Sequence, residues 1–168
     1  MEPWGIRGST AIDTRCNVNI ESMMTKQPLC CSPAATVQDV ARMMRENDVG
    51  AIPVVSDLVS KKLVGIITDR DLCISAMADG KDPQTTSIAD YFTKTVITCA
   101  PEETLEACEQ KMKQYRIRRI PVVDKQNSCV GIVAQADLAR VDRPENFQAL
   151  IAEISRPNVK RFAHVAVA

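Results

Sequence analysis

Across its 168 residues the chain has one histidine, six glycines and 4% aromatic residues, and it carries no excess of either charge. Lys and Arg number 21 against 21 Asp and Glu, so no net basic field recommends the chain as a nucleic-acid binder. No uninterrupted apolar run approaches the ~18–20 residues that span a bilayer, which argues against a membrane protein. The start, Met1-Glu2-Pro3-Trp4-Gly5, has no charged segment leading into an apolar one, and a cytoplasmic location is the expectation. Catalytic signatures are missing as well. The one histidine, His164, leaves Ser-His or Cys-His chemistry without its usual base, and neither a G-x-x-x-x-G-K loop nor a G-x-G-x-x-G fingerprint is present. Asp69 and Asp71 stand two apart at an expected helix start, where their side chains diverge. A non-enzymatic protein is therefore expected.

Seven cysteines are present, but none form a C-x-x-C pair. Cys30, Cys31, Cys99 and Cys129 lie in apolar, strand-like stretches and Cys108 on a helix-like face, which reads as small buried hydrophobes in a reducing compartment. Cys16 is the thiol expected to be exposed. His164 has no cysteine near it at metal spacing, so no metal site is expected. What remains is an average soluble composition, 45% hydrophobic and 25% charged, of about one domain's length.

The informative feature is internal repetition. Shifted by 68 positions, 20–56 lies over 88–124 without a gap and matches at eleven of 37 positions, among them Thr25, Cys31, Pro33, Thr36, Met44 and Ile52-Pro53-Val54-Val55. Chance gives about two at average composition. After Ser56 the first copy has two extra residues. The register becomes 66, and 63–72 matches 129–138 at five of ten positions, including Val-Gly-Ile and Asp-Leu. Two copies of this length suit a face-to-face pair better than a solenoid.

Each copy reads as β-α-β-β-α, an α+β fold. A short strand (29–31; 96–99) meets a Pro turn at Pro33 or Pro101. Thr36 or Thr104 then caps a helix whose stripe is Val37, Val40, Ala41 and Met44, or Leu105, Cys108 and Met112 with Glu109 at its edge. Two β-rich runs follow (52–55 and 63–67; 120–123 and 129–133), and a helix closes each copy (69–79; 135–141). Domain boundaries are expected as a tail to residue 16, repeat one over 17–80, a polar linker over 81–87, repeat two over 88–142, a helix over 143–156 and a tail over 157–168. In the penultimate segment Phe147, Leu150, Ile151 and Ile154 form one stripe, expected to dock on the core.

The repeated residues, Pro33-x-x-Thr36-Val37, Ile52-Pro53-Val54-Val55 and Leu63-Val64-Gly65-Ile66-Ile67-Thr68-Asp69-Arg70-Asp71-Leu72, resemble the cystathionine-β-synthase (CBS) domain pattern. Both copies match it over about 20–141. The pair resembles a Bateman module, two CBS repeats packed about a pseudo-two-fold axis, of the standalone kind without a catalytic domain.

That resemblance implies a regulatory role: binding of an adenosine-containing ligand (AMP, ADP, ATP or S-adenosylmethionine) between the repeats, with no cofactor required. It implies that the Gly65–Asp71 stretch forms the ribose site. An ionised carboxylate such as Asp71 suits two vicinal hydroxyls, and the Thr68 hydroxyl adds a third bond. Thr68-x-x-Asp71 is equally a helix capping box that needs no ligand, as Thr36-x-x-Asp39 is. The second copy keeps the acid, Asp137, but has Ala134 for the threonine. Where copy one has Gly50-Ala51, copy two has Arg118-Arg119, and basic residues at these positions in the family face phosphate; Arg70 is a third candidate. All three could instead be solvated. In the family one repeat's acid faces the other repeat's first strand, which implies a cleft of Thr68 and Asp71 with Ile97, Thr98, Ala100 and Ile120. A second cleft would pair Asp137 with Cys30, Ser32 and Ile52. One competent site per chain is expected.

A homodimer is expected through the first closing helix, where Leu72, Cys73, Ile74, Ala76, Met77 and Ala78 give more apolar surface than one core stripe needs. The regulated protein target is unnamed by the sequence. Two alternatives stand beside ligand sensing: a thiol- or metal-responsive protein using Cys30, Cys31 and Cys99, and a ligand-free scaffold dimer.

Overall fold

The structure, a computed structural model, describes residues 18–156. Cys16, His164 and both expected tails lie outside the described residues.

Before the first repeated helix, Asn19 caps a single helical turn, α1 (Ile20–Met23), and β1 (Thr25–Lys26) follows it. Thr36 then accepts a hydrogen bond from the Asp39 N–H and starts α2 (Val37–Glu46), which buries Val37, Val40 and Met44 of the expected stripe but leaves Ala41 exposed. The antiparallel pair β2 (Ala51–Val55) and β3 (Leu63–Thr68) leads into α3 (Asp69–Asp71). The second copy repeats this with α4 (Leu105–Tyr115), β4 (Arg119–Val123), β5 (Cys129–Ala134) and α5 (Gln135–Val141), and α6 (Pro144–Ile154) follows. Pro144 opens α6, and Leu150 and Ile154 bury themselves against the second core.

Three expectations change. The strands expected over 29–31 and 96–99 shrink to single parallel contacts, Cys31 with Val54 and Cys99 with Val122. Flanking prolines leave these segments extended without a continuous ladder. The helix expected over 69–79 keeps α-geometry only to Asp71 and widens into π-helix over Leu72–Ala76, whose Cys73-Ile74-Ser75 run holds weak helix formers. Glu109, placed at the edge of its stripe by the sequence, is 5% exposed.

The two copies obey a two-fold relation down to single hydrogen bonds. Leu63 N–H donates to the Asn127 carbonyl at 2.9 Å, and its counterpart Cys129 N–H donates to the Lys61 carbonyl at 2.8 Å. The lead-in segments are exchanged. β1 pairs with β5 of the second copy, whereas Thr93, the counterpart of Thr25, pairs with Ile66 in β3 of the first. Ile20 accordingly sits in the second copy's core and Ile88 in the first's. Two small sheets result, β1-β5-β4 and β2-β3, with helices packed against them. Among the described residues no helix is long and apolar enough to cross a membrane.

The exchange explains one repeated glycine pair. A Cβ at Gly65 would stand 2.1 Å from the Phe92 ring and 2.8 Å from the Thr93 carbonyl; a Cβ at Gly131 would stand 2.3 Å from the Met24 sulfur. Methionine is flexible and can swing away, whereas the ring and the backbone cannot. Gly65→Ala is expected to cost about 1–3 kcal/mol and Gly131→Ala clearly less, read as urea midpoints at equal m-value. Equal losses would contradict this packing.

Candidate functional site

Where β3 meets α3, the chain turns from extended to helical backbone, and Thr68 caps the turn. Its N–H and hydroxyl both donate to Asp71 Oδ2, at 3.0 and 2.7 Å, while Asp71 N–H donates to the Thr68 hydroxyl at 3.2 Å. The capping box of the sequence is thus formed. It uses one carboxylate oxygen, and among the described residues no donor reaches Oδ1.

Thr68 and Asp71 border a cleft of about 540 Å³ between the repeats, together with Arg70, Ile97, Arg118 and Arg119. Six of the ten residues singled out in the sequence therefore converge there. Ile97 brings a backbone N–H and carbonyl that have no protein partner among the described residues, a donor and acceptor free for a planar heterocycle. Arg70, Arg118 and Arg119 meet no carboxylate within salt-bridge distance among the described residues. Arg116 and Arg156 add two more guanidiniums, both held by Glu153, at 3.6 and 3.1 Å. Five arginines against Asp69, Asp71 and the adjoining Glu153 leave the cleft electropositive.

Thr98, Ala100 and Ile120 do not border it. The Thr98 carbonyl accepts from Lys111 Nζ at 2.8 Å, the Ala100 N–H donates to Glu103 at 2.7 Å, and Ile120 is fully buried in the second core. Lys111 and Glu103, 2.6 Å apart, thus occupy the Thr98 carbonyl and the Ala100 N–H. The sequence also misses what α6 contributes: Ile154, Ser155 and Arg156 form part of the cleft wall. That helix lies outside the repeat, so no internal comparison could find it.

Asp137 borders a second, smaller cleft of about 250 Å³ with Leu29, Asp48, Gly50, Ala134 and Arg119 among its neighbours. Cys30, Ser32 and Ile52 are not in its lining. Asp137 Oδ2 accepts from Ala134 N–H at 2.8 Å, so the acid caps its helix even without a threonine. Its Oδ1 is approached by Arg140 at 3.5 Å, unlike the open Oδ1 of Asp71. Arg119 borders both clefts. Gly50 keeps the space beside it open: a Cβ there would fall 2.9 Å from Arg119 Nη2 and 2.8 Å from Asp69 Oδ2.

The cysteines are divided by the fold. Cys31 is in the first core, and burial pushes its thiol up to about 12. Cys99 and Cys108 lie together in the second core, and Cys30 and Cys129 share a small buried cluster between the repeats. Cys30, Cys31 and Cys99 therefore do not gather at one place. Among the described residues no three His, Cys, Asp or Glu side chains converge to hold a metal ion.

The CBS domain model matches residues 20–76 and again 88–143. The chain belongs to the CBS-domain family. The CBS domain-containing protein YhcV of Bacillus subtilis is 39% identical over 143 residues, 84% of this chain and 98% of that protein. Hypoxic response protein 1 of Mycobacterium tuberculosis is 32% identical over 66% of this chain and 76% of its own length. Solved CBS pairs share the fold. The crystal structure of Hypoxic Response Protein I with two coordinated zinc ions matches with TM-score 0.67 and 29% identity, covering 75% of this chain and all of that one. The CBS pair of protein MJ0100, in complex with 5′-methylthioadenosine and S-adenosyl-L-methionine, matches with TM-score 0.65 and 29% identity over 74% of this chain and 94% of that one.

Proposed function

We propose that this CBS pair is a non-catalytic regulatory module that binds a phosphorylated adenosine ligand in the larger cleft. The observation that carries this reading is the meeting of an open carboxylate oxygen on Asp71 with three arginines, Arg70, Arg118 and Arg119, that have no acidic partner among the described residues. The carboxylate fits vicinal ribose hydroxyls, the Ile97 backbone fits the base edge and the guanidiniums fit phosphate. The MJ0100 pair, with its two adenosine ligands, supports the ligand class. The local charge favours AMP, ADP or ATP over cationic S-adenosylmethionine. About 540 Å³ lies within the usual range of small-ligand pockets, and about 250 Å³ falls short of it, which supports one site per chain.

Ligand held by both repeats regulates only if it binds one inter-repeat arrangement better than another. Its output is then a changed surface offered to a partner protein. We further infer a homodimer through the π-helical segment, where Ile74 is 51% and Met77 69% exposed beside exposed Cys73. Light scattering at tens of micromolar is expected to give twice the chain mass; a monomer mass contradicts this.

A thermal-shift panel of AMP, ADP, ATP and S-adenosylmethionine tests the ligand reading. A nucleotide at ~100 times its Kd adds about 2.7 kcal/mol, a rise of several degrees. No shift with any nucleotide would leave the family standing and remove the ligand reading.

A further inference from the structure

The seam between the repeats holds a chemistry that ligand binding does not use. Cys30, just before α2 of the first repeat, and Cys129, the first residue of β5 in the second, share a small buried cluster with Val55 and Leu63. The Cys30 thiol donates to the Pro28 carbonyl at 3.3 Å and the Cys129 thiol to the Gly131 carbonyl at 3.6 Å, and the two sulfurs lie close enough for each to perturb the other's titration. The backbone around them is fixed by the two-fold ladder already described, in which Cys129 N–H donates to the Lys61 carbonyl and Leu63 N–H to the Asn127 carbonyl. The Asn127 side chain adds a bond to the Leu63 carbonyl at 3.1 Å. Cys129 is thus held at the start of β5, and Cys30 in an extended segment tied to β2 through the bonds of Cys31 with Pro53 and Val55, so the two thiols come from different repeats.

We propose that Cys30 and Cys129 form a redox-responsive dithiol, closing under a hydroperoxide to a disulfide that joins the two repeats. The steps balance. The Cys30 thiolate attacks the peroxide O–O bond, giving a sulfenic acid on Cys30 and releasing hydroxide. The Cys129 sulfur then attacks the Cys30 sulfur, forming the S–S bond and expelling the sulfenic oxygen as water after its own thiol proton is given up. Overall two thiols and one hydrogen peroxide give one disulfide and two waters.

Two features assign the roles. Cys30 keeps 8% exposure against 2% for Cys129, so the oxidant meets it first. The neighbouring Cys129 sulfur and the Lys61 ammonium lower the Cys30 thiol against the opposing effect of burial, while Cys129 is raised. The Cys99–Cys108 contact is an internal comparison. It has the same pairing of sulfurs but is sealed inside the second core, and it stays reduced under the same treatment. The proposal does not rest on the ligand reading, because none of the four cluster residues borders the larger cleft.

The test treats the purified full chain with a small excess of hydrogen peroxide, then blocks, unfolds and maps the thiols by mass spectrometry. The expected product is an intramolecular link between tryptic peptides 27–42 and 126–140, resolved to Cys30 rather than Cys31 by fragmentation, with Cys99 and Cys108 free. Melting temperature rises by several degrees and returns on reduction. Cys129→Ser is expected to leave a sulfenic acid on Cys30 that dimedone traps. Should that variant fail to fold, the wild-type map alone decides. Free Cys30 and Cys129 after treatment, or a link to any other cysteine, overturns the proposal.

Discussion

Asp71→Ala is expected to abolish the thermal shift that an adenine nucleotide gives the wild-type chain. The carboxylate has two duties. Oδ2 closes the capping box with Thr68, and Oδ1 is the acceptor left for ribose. Hydrogen bonds to a charged group contribute about 1.5–3 kcal/mol each, so the loss weakens binding by about a hundredfold or more. The substitution also removes the cap and lowers basal stability by about 1 kcal/mol. Asp39→Ala separates the two effects. Asp39 shares two of the three bonds of that box at the start of α2, its carboxylate accepting from the Thr36 hydroxyl at 2.7 Å and its N–H donating to that hydroxyl at 3.1 Å, and it borders neither cleft. It is expected to lower the melting temperature similarly while leaving the nucleotide shift intact. If both variants keep the shift, Asp71 is only a cap.

Glu109→Gln is expected to stabilise the chain above neutral pH. The Glu109 carboxyl is buried on α4 facing Asp142, with Lys113 at 3.9 Å as the only cation contact described. Burial first, then the Asp142 carboxyl, raises it from 4.5 to about 7, with Glu106 adding slightly and Lys113 opposing. Because the folded state holds this proton more tightly than the unfolded one, stability falls as pH rises from about 4.5 through about 7. Above that window the wild type carries a buried charge that glutamine does not. The shift corresponds to about 3 kcal/mol at pH 8, or several degrees, and to no gain near pH 4.5. Parallel melting curves at the two pH values check it. A variant less stable than wild type at pH 8 would mean that the Lys113 contact outweighs the desolvation.

Much of this fold was legible because the chain states it twice. The stripes of α2 and α4, the Ile-Pro-Val-Val strands and the caps at Thr36 and Thr104 are local signals, and the repeat made each count double; the cap at Thr68 was legible from one copy alone. The exchange of lead-in segments was not legible. Nothing in Thr25-Lys26 or Thr93 states whether a short strand pairs with its own repeat or its neighbour; only the space over Gly65 and Gly131 records it. The site divides in the same way. Thr68 and Arg118-Arg119 stood out as departures between copies and Asp71 as an acid both copies keep, whereas Arg116, Arg156 and Ser155 reach the cleft through α6 and a left-handed Arg116 at the end of α4. Thr98 and Ala100 were expected at the cleft because the family resemblance places the first strand there, but the Thr98 carbonyl is taken by Lys111 from α4 and the Ala100 N–H by Glu103, just before that helix begins.

The central claim, one phosphorylated adenosine ligand per chain in the larger cleft, is tested most directly by isothermal titration of the wild-type chain with AMP and ATP. A single class of site near one ligand per chain, lost in Asp71→Ala, is the expected result. A stoichiometry near two, or no heat and no saturation with either nucleotide, would contradict it.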